Sequence, residues 1–295
     1  MGSRRKRQRS IQPIHRYRSN ESGYVYIADP GNNRIQVFTP SGTFVTQWGS
    51  AGSKYGQFNN PAGVAINSTG FVYVTDLYNA RVQVFDPSGG FVNEWGDYGQ
   101  GIGQFRWPED IAIGTNGNVL VADSFNARVQ EFTPSGGYVA FWGDWGKGNG
   151  QFIWPENIAA DPAGYVYVAD SENPRIQKFT RSGLYIAQWG NVGSGEGQFN
   201  NPTGIGVDME GNVYIADTGN DRIQVFAPNG TYLSGWGSEG TGNGQFDLPQ
   251  SIAVSSNGYI YVADFNNRRI QEFSASGEYV PWGGIKRGKS PGGVS

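Results

Sequence analysis

The 295-residue chain has no cysteine, one histidine and two methionines. Without cysteine there is no disulfide, no thiolate nucleophile and no cysteine-ligated zinc. With His15 as the one imidazole, a multi-histidine metal centre is excluded too. Charged residues are scarce at 16%. No apolar run approaches the roughly 18–20 residues that a membrane-crossing helix needs. The opening stretch "MGSRRKRQRSIQPIHRYRS" starts basic but lacks the apolar segment of a secretory signal.

Charge is unevenly spread. Residues 1–19 hold seven of the 22 bases (Arg4, Arg5, Lys6, Arg7, Arg9, Arg16, Arg18) and no acid. The other 15 bases face all 25 acids, so residues 20–295 carry a net charge of −10. An acidic body repels a phosphate backbone, which counts against nucleic-acid binding outside the basic arm.

What the chain has in abundance is glycine, 46 residues, and aromatic side chains, 14%. Both are poor helix interiors, and together they suit short strands joined by tight turns. The aromatics recur on a fixed period, which argues against disorder. Gly-Gln-Phe begins at Gly56, Gly103, Gly150, Gly197 and Gly244, in steps of 47. An aspartate keeps the same step at Asp29, Asp76, Asp123, Asp170, Asp217 and Asp264. Trp-Gly follows at Trp48, Trp95, Trp142, Trp189 and Trp236, and at Trp282 with one residue deleted. Such periodicity marks a repeat architecture.

One unit reads as four strands. "GVAI" (63–66), "FVYVTD" (71–76), "RVQVF" (81–85) and "FVNEW" (91–95) are separated by "STG", "LYNA" and "DPSGG". Each connection has hairpin chemistry. Four short antiparallel strands cannot bury both faces alone, and radial stacking of six such sheets solves that. The expected fold is therefore all-β, a six-bladed β-propeller of four-stranded antiparallel blades with a 47-residue repeat. The small first strands ("GVAI", "DIAI", "NIAA", "GIGV", "SIAV") suit the crowded axis, and the Phe and Trp of the outer strands suit the widening wedge between blades.

Each unit also carries an acid, an amide and a base, as in "VADSFNARVQEF" (121–132). The pairs Asp29/Arg34, Asp76/Arg81, Asp123/Arg128, Asp170/Arg175, Asp217/Arg222 and Asp264/Arg269 face each other across one hairpin. Six copies of a would-be active site indicate scaffold. The carboxylate is expected to accept turn N–H groups and the guanidinium, with the Asn at a left-handed turn position. Function should then sit where the copies differ.

"NPTGIGVDMEGNVYIADTGNDRIQVF" (201–226) resembles the NHL repeat, and the resemblance extends over residues 24–283. It implies a six-bladed propeller, similar to the NHL domains of bacterial sensor kinases and of TRIM-type ubiquitin ligases. Other members bind RNA, and one is a peptide-amidating lyase, whose histidine ligands this chain lacks. The resemblance implies an extracellular or cell-surface location, with a cytoplasmic one as the alternative.

The domain expectation is a basic arm at 1–19 and one propeller at 20–295. Blades fall at about 24–48, 56–95, 103–142, 150–189, 197–236 and 244–282. The first lacks its inner strand, which "SPGGVS" (290–295) or "QPIHRY" (12–17) could supply. The C-terminal segment is expected, because His15, Arg16 and Tyr17 are bulky for the axis. Starting in mid-blade and stopping in mid-strand suggests a fragment of a longer protein; the expected state is a monomer or part of a larger chain.

Links between blades and turns between second and third strands should share one face. There the variable residues include Tyr78, Arg106, Trp107, Phe125, Trp154, Glu172 and Phe265, with Tyr98 and Trp145 nearby. Exposed aromatics suggest a recognition surface for a protein, peptide or glycan. Glu109, Asp110, Glu156 and Asn157 should ring the channel mouth and could hold Ca²⁺; no other cofactor is indicated. The leading expectation is a non-catalytic binding or scaffold module. The alternatives are a Ca²⁺-dependent hydrolase or lyase, and RNA binding through "RRKRQR" (4–9).

Overall fold

The computed structural model describes residues 16–19, 23–255 and 257–281. These form six four-stranded antiparallel sheets, with no α-helix among the described residues. Blade one comprises β1 (Arg16–Ser19), β2 (Val25–Asp29), β3 (Arg34–Phe38) and β4 (Phe44–Trp48). Blade two comprises β5 (Pro61–Ile66), β6 (Val72–Asp76), β7 (Arg81–Phe85) and β8 (Phe91–Trp95). Blade three follows with β9 (Pro108–Ile113), β10 (Val119–Asp123), β11 (Arg128–Phe132) and β12 (Tyr138–Trp142). Blade four has β13 (Pro155–Ala160), β14 (Val166–Asp170), β15 (Arg175–Phe179) and β16 (Tyr185–Trp189). Blade five has β17 (Pro202–Val207), β18 (Val213–Asp217), β19 (Arg222–Phe226) and β20 (Tyr232–Trp236). Blade six has β21 (Pro249–Val254), β22 (Ile260–Asp264), β23 (Arg269–Phe273) and β24 (Tyr279–Val280).

The first strands β1, β5, β9, β13, β17 and β21 touch one another in a closed ring around the axis. Small side chains are needed there: a Cβ added at Gly204 would lie 2.7 Å from the carbonyl oxygen of Gln250 on the next blade. Among the described residues, a channel space of about 200 Å³ along the axis is lined by Ala, Ile, Val and Gly, among them Ala65, Ile113, Ala159, Val207 and Val254.

Closure of blade one corrects the sequence expectation. β1 pairs with β2, Arg16 opposite Ala28 and Ser19 opposite Val25. The edge of β2 reserved for 290–295 is therefore taken by the end of the basic arm; residues 290–295 themselves lie outside the described residues. Loop-closure entropy favours this solution, because a strand a few residues away is recruited at far lower cost than one some 260 residues away.

Second and third strands are buried on both faces because the core lies between blades. Successive side chains of one strand serve opposite interfaces. Val72 and Val74 pack toward blade one with Ile35 and Phe58, whereas Tyr73 packs toward blade three with Val121 and Phe132. Each wedge is filled by aromatic rings, such as Trp48 against Phe85 at 5.8 Å and Trp95 against Phe132 at 5.7 Å.

Candidate recognition surface

The inter-blade links and the turns between second and third strands do share one face, hereafter the upper face. Ser124 N–H donates to the Trp107 carbonyl and Phe125 N–H to that of Arg106, joining the β10–β11 turn to the link entering β9. The repeated aspartate organises this junction. Asp123 Oδ1 accepts the Arg106 backbone N–H at 2.7 Å. Its Oδ2 accepts Asn126 Nδ2 at 2.8 Å, Arg128 Nε at 2.8 Å and Gln130 Nε2 at 3.1 Å. Arg128 Nη2 continues to the carbonyls of Gly101 and Gln104 in the link. Burial pushes the Asp123 carboxyl up, against the pull of the Arg106 amide, Asn126 and Arg128.

The motif is thus a clamp that fastens each inter-blade link to its hairpin. Two details differ from the sequence reading. The carboxylate takes a link N–H and not a turn N–H. The Asn is a side-chain donor, and the left-handed residue comes one position later: Asn33, Ala80, Ala127, Asp221 and Arg268. In blade four that position is Pro174, whose ring forbids positive φ, and the 3₁₀ turn of blades one, two, three and five is absent there.

At the seam of blades three and four the variable residues assemble. Trp107, Phe125 and Trp154 form a triangle of edge-to-face rings, with centroids 5.7, 5.4 and 6.1 Å apart and planes at 67–79°. Trp107 is 41% and Phe125 49% exposed, and Trp154 is partly buried. Trp107 has φ +59°, a left-handed conformation unusual for a bulky residue. Asn60 and Asn201 fill the same place in blades two and five, where asparagine tolerates it better. The Arg106 guanidinium carbon lies 4.5 Å from the Phe125 ring centre and 5.3 Å from that of Tyr98. Its Nε and Nη2 both donate to the Tyr98 hydroxyl, at 3.1 and 3.0 Å. The role of Tyr98 in holding Arg106 was not legible in the spacing, because the link folds back across eight residues.

The remaining candidates lie elsewhere. Tyr78, on blade two, is exposed and makes no ring contact with the triangle among the described residues. Glu172 holds in blade four the turn position that Phe125 holds in blade three, and is exposed. Phe265 stands on blade six, three blades from Phe125. It occupies the first turn position, that of Ser124 and Thr218, whose hydroxyls donate to the carbonyls of Pro155 and Pro249 on the next blade.

At the channel mouth, Asp110 and Asn157 are buried wall residues that tie blades together. Asp110 Oδ2 accepts Ile158 N–H at 3.1 Å, and Asn157 Oδ1 accepts Ile205 N–H at 3.2 Å. Glu109 and Glu156 occupy the bulges where the inner strands shift register, between Pro108 and Asp110 and between Pro155 and Asn157. Among the described residues no three His, Cys, Asp or Glu side chains gather as a metal site.

The family model of the NHL repeat matches residues 58–85, 105–132, 152–179, 199–226 and 246–273. No curated protein sequence matches the chain. Among solved structures, a streptogramin B lyase aligns with TM-score 0.70 at 16% identity, covering 95% of this chain and 86% of that one. A catalytically inactive virginiamycin B lyase from Staphylococcus aureus with quinupristin aligns with TM-score 0.67 at 15% identity, over 92% and 85%. A gluconolactonase from Xanthomonas campestris aligns with TM-score 0.57 at 12% identity, over 89% and 80%. At such identities the likeness is one of fold. The five matched repeats, the Asp–Arg pair in every blade and the closed ring of six sheets together mean that the chain belongs to the NHL-repeat family and folds as a six-bladed β-propeller.

Proposed function

We propose that this propeller is a recognition module that binds a protein, peptide or glycan on its upper face, at the seam of blades three and four. The observation that carries the reading is the half-exposed triangle of Trp107, Phe125 and Trp154 beside Arg106. Exposed aromatic rings and arginine are the residue types that dominate binding energy at interfaces.

The fold is shared with a lyase and a lactonase, so the test separates the two classes. The double variant Trp107→Ala/Trp154→Ala is compared with the wild type on peptide and glycan arrays and in pull-downs. Expected is at least a tenfold loss of binding with only a small drop in melting temperature, since the rings lie at the surface. Unchanged binding would remove this surface from consideration. A rise in melting temperature with millimolar Ca²⁺ would instead favour the metal-dependent alternative.

A further inference from the structure

Arg106 differs from every arginine of the repeat. Arg34, Arg81, Arg128, Arg175, Arg222 and Arg269 each lie 2.6–3.2 Å from an aspartate oxygen. Arg106 has no carboxylate partner among the described residues. Its guanidinium is held over the Phe125 ring and anchored by two N–H groups on the Tyr98 hydroxyl, leaving Nη1 unspent. A cation set over an aromatic face and tied by a neutral hydroxyl keeps its full charge and has little rotational freedom left to lose. None of the other four complete blades has a base at this position: the equivalents are Asn59, Ile153, Asn200 and Asp247.

Resting on the recognition reading above, we infer that the seam binds a peptide segment in which an aspartate or glutamate side chain lies beside a bulky apolar side chain. The carboxylate meets Arg106 Nη1, and the apolar group covers the Trp107–Phe125–Trp154 triangle. Charge complementarity selects the acid, since a guanidinium with open donors is matched best by a carboxylate. The net −10 of the body limits the ligand to one or two acids near Arg106, because a polyanion would be repelled.

Two features favour a peptide side chain over other sources of a carboxylate. The three rings stand at 67–79° to one another, so they give a knuckled apolar surface and not the parallel faces on which sugar rings or bases stack. The backbone N–H groups of Arg106, Ser124, Phe125 and Trp154 are all spent inside the fold. A nest of free N–H groups for a chain-terminal carboxylate is therefore not assembled from them.

The test uses the full chain and an array of random peptides with free and amidated C-termini, read alongside a glycan array that includes uronates and against single-stranded RNA. Wild-type protein should select peptides pairing Asp or Glu with Trp, Phe, Tyr or Leu, regardless of C-terminal amidation. For the best such peptide, Arg106→Gln should weaken binding at least tenfold. Its effect on the same peptide with the acid changed to amide should be less than about twofold, as in a double-mutant cycle. Trp107→Ala/Trp154→Ala should weaken both peptides. Melting curves verify that Arg106→Gln is folded, which is expected because Arg106 makes no ion pair. If the ring variant loses binding and Arg106→Gln does not discriminate acid from amide, the carboxylate inference fails and the recognition surface stands. If neither variant alters binding, both fail. Selection of uronates, RNA or peptides without an acid, or of no peptide at all, overturns the inference.

Discussion

Replacing Asp170 by alanine removes the centre of one clamp. Asp170 is fully buried, and its Oδ1 accepts the backbone N–H groups of Ile153 and Trp154 at 2.8 and 2.9 Å. Its Oδ2 accepts Arg175 Nε at 3.2 Å and Asn173 Nδ2 at 3.3 Å. Breaking a buried ion pair from one side costs about 3–5 kcal/mol, because a charge is left uncompensated. Arg175 is partly protected, since it also donates to the carbonyls of Lys147, Gly148 and Gln151 and to Gln188. Burial, which pushes the Asp170 carboxyl up, means that the ionised group already carries a desolvation cost that the variant escapes. Against these reductions stand two orphaned backbone donors at roughly 1 kcal/mol each. The expected loss is about 3–4 kcal/mol, or roughly 6–8 °C in melting temperature at about 2 °C per kcal/mol for a chain of this size.

The six clamps should not respond equally. The arginine side chains of blades one to four are 5–8% exposed, whereas Arg222 and Arg269 are 20% and 23% exposed. Water can compensate the latter two, so Asp217→Ala and Asp264→Ala should cost less than Asp170→Ala. Arg81 has a second acid, Glu94 at 2.7 Å, which should soften Asp76→Ala. Thermal and urea melts of the six single variants decide the matter. A melting temperature for Asp170→Ala within about 1 °C of wild type would refute the reasoning. So would one variant that keeps full stability and loses binding or turnover alone, because that aspartate would then act as a site residue.

Arg268 is exposed at φ +53°, so Arg268→Asn should raise stability by about 0.5–1 kcal/mol in a urea melt. Gly204→Ala should destabilise by about 1–3 kcal/mol, because its Cβ would meet the Gln250 carbonyl at 2.7 Å and rigid backbone cannot give way; an unchanged midpoint would show that the axial ring is looser than described. Tyr167, Tyr214 and Tyr261 are pushed well above the usual tyrosine range, first by burial and then by Asp161, Asp208 and Glu272. The folded state holds these protons more tightly than the unfolded state, so their contribution is intact below about pH 10 and is lost as pH rises further. In an ultraviolet titration they should ionise last, together with unfolding.

The 47-residue period, the four strands and the Asp–Arg hairpin were readable because each is a local pattern repeated without insertion. The partner of Asp123 Oδ1 was not, since it lies 17 residues upstream in the link and donates through its backbone, which leaves no mark in side-chain type. Closure of blade one follows the proximity of the 16–19 strand and not the small size of the side chains at 290–295. The spacing puts Trp107, Phe125 and Trp154 at link and turn positions of neighbouring blades. That they touch, and that Phe265 stands three blades away, depends on the order of blades around the ring. Glu109, Asp110, Glu156 and Asn157 do lie on adjacent blades, but Asp110 and Asn157 turn oxygens to backbone amides across the blade boundary.

The clamp also explains how one seam can carry a specialised surface without cost to the fold. In every complete blade the aspartate grips the same link position through its backbone: Asn59 at 2.7 Å, Arg106 at 2.7 Å, Ile153 at 2.8 Å, Asn200 at 2.8 Å and Asp247 at 2.8 Å. Side chains of four kinds make one bond, so the side chain there is free to vary. The next residue varies as freely, as Asn60, Trp107, Trp154, Asn201 and Leu248, and four of these share a positive φ that the clamp and the hairpin hold in place. A left-handed tryptophan would be expelled from an isolated turn. Here the bonds from Arg106 to Asp123 and from Ser124 and Phe125 back to the link fix the backbone on both sides of it. The scaffold therefore absorbs the strain of Trp107, and the residues that differ between blades are free to be chosen by what they meet outside.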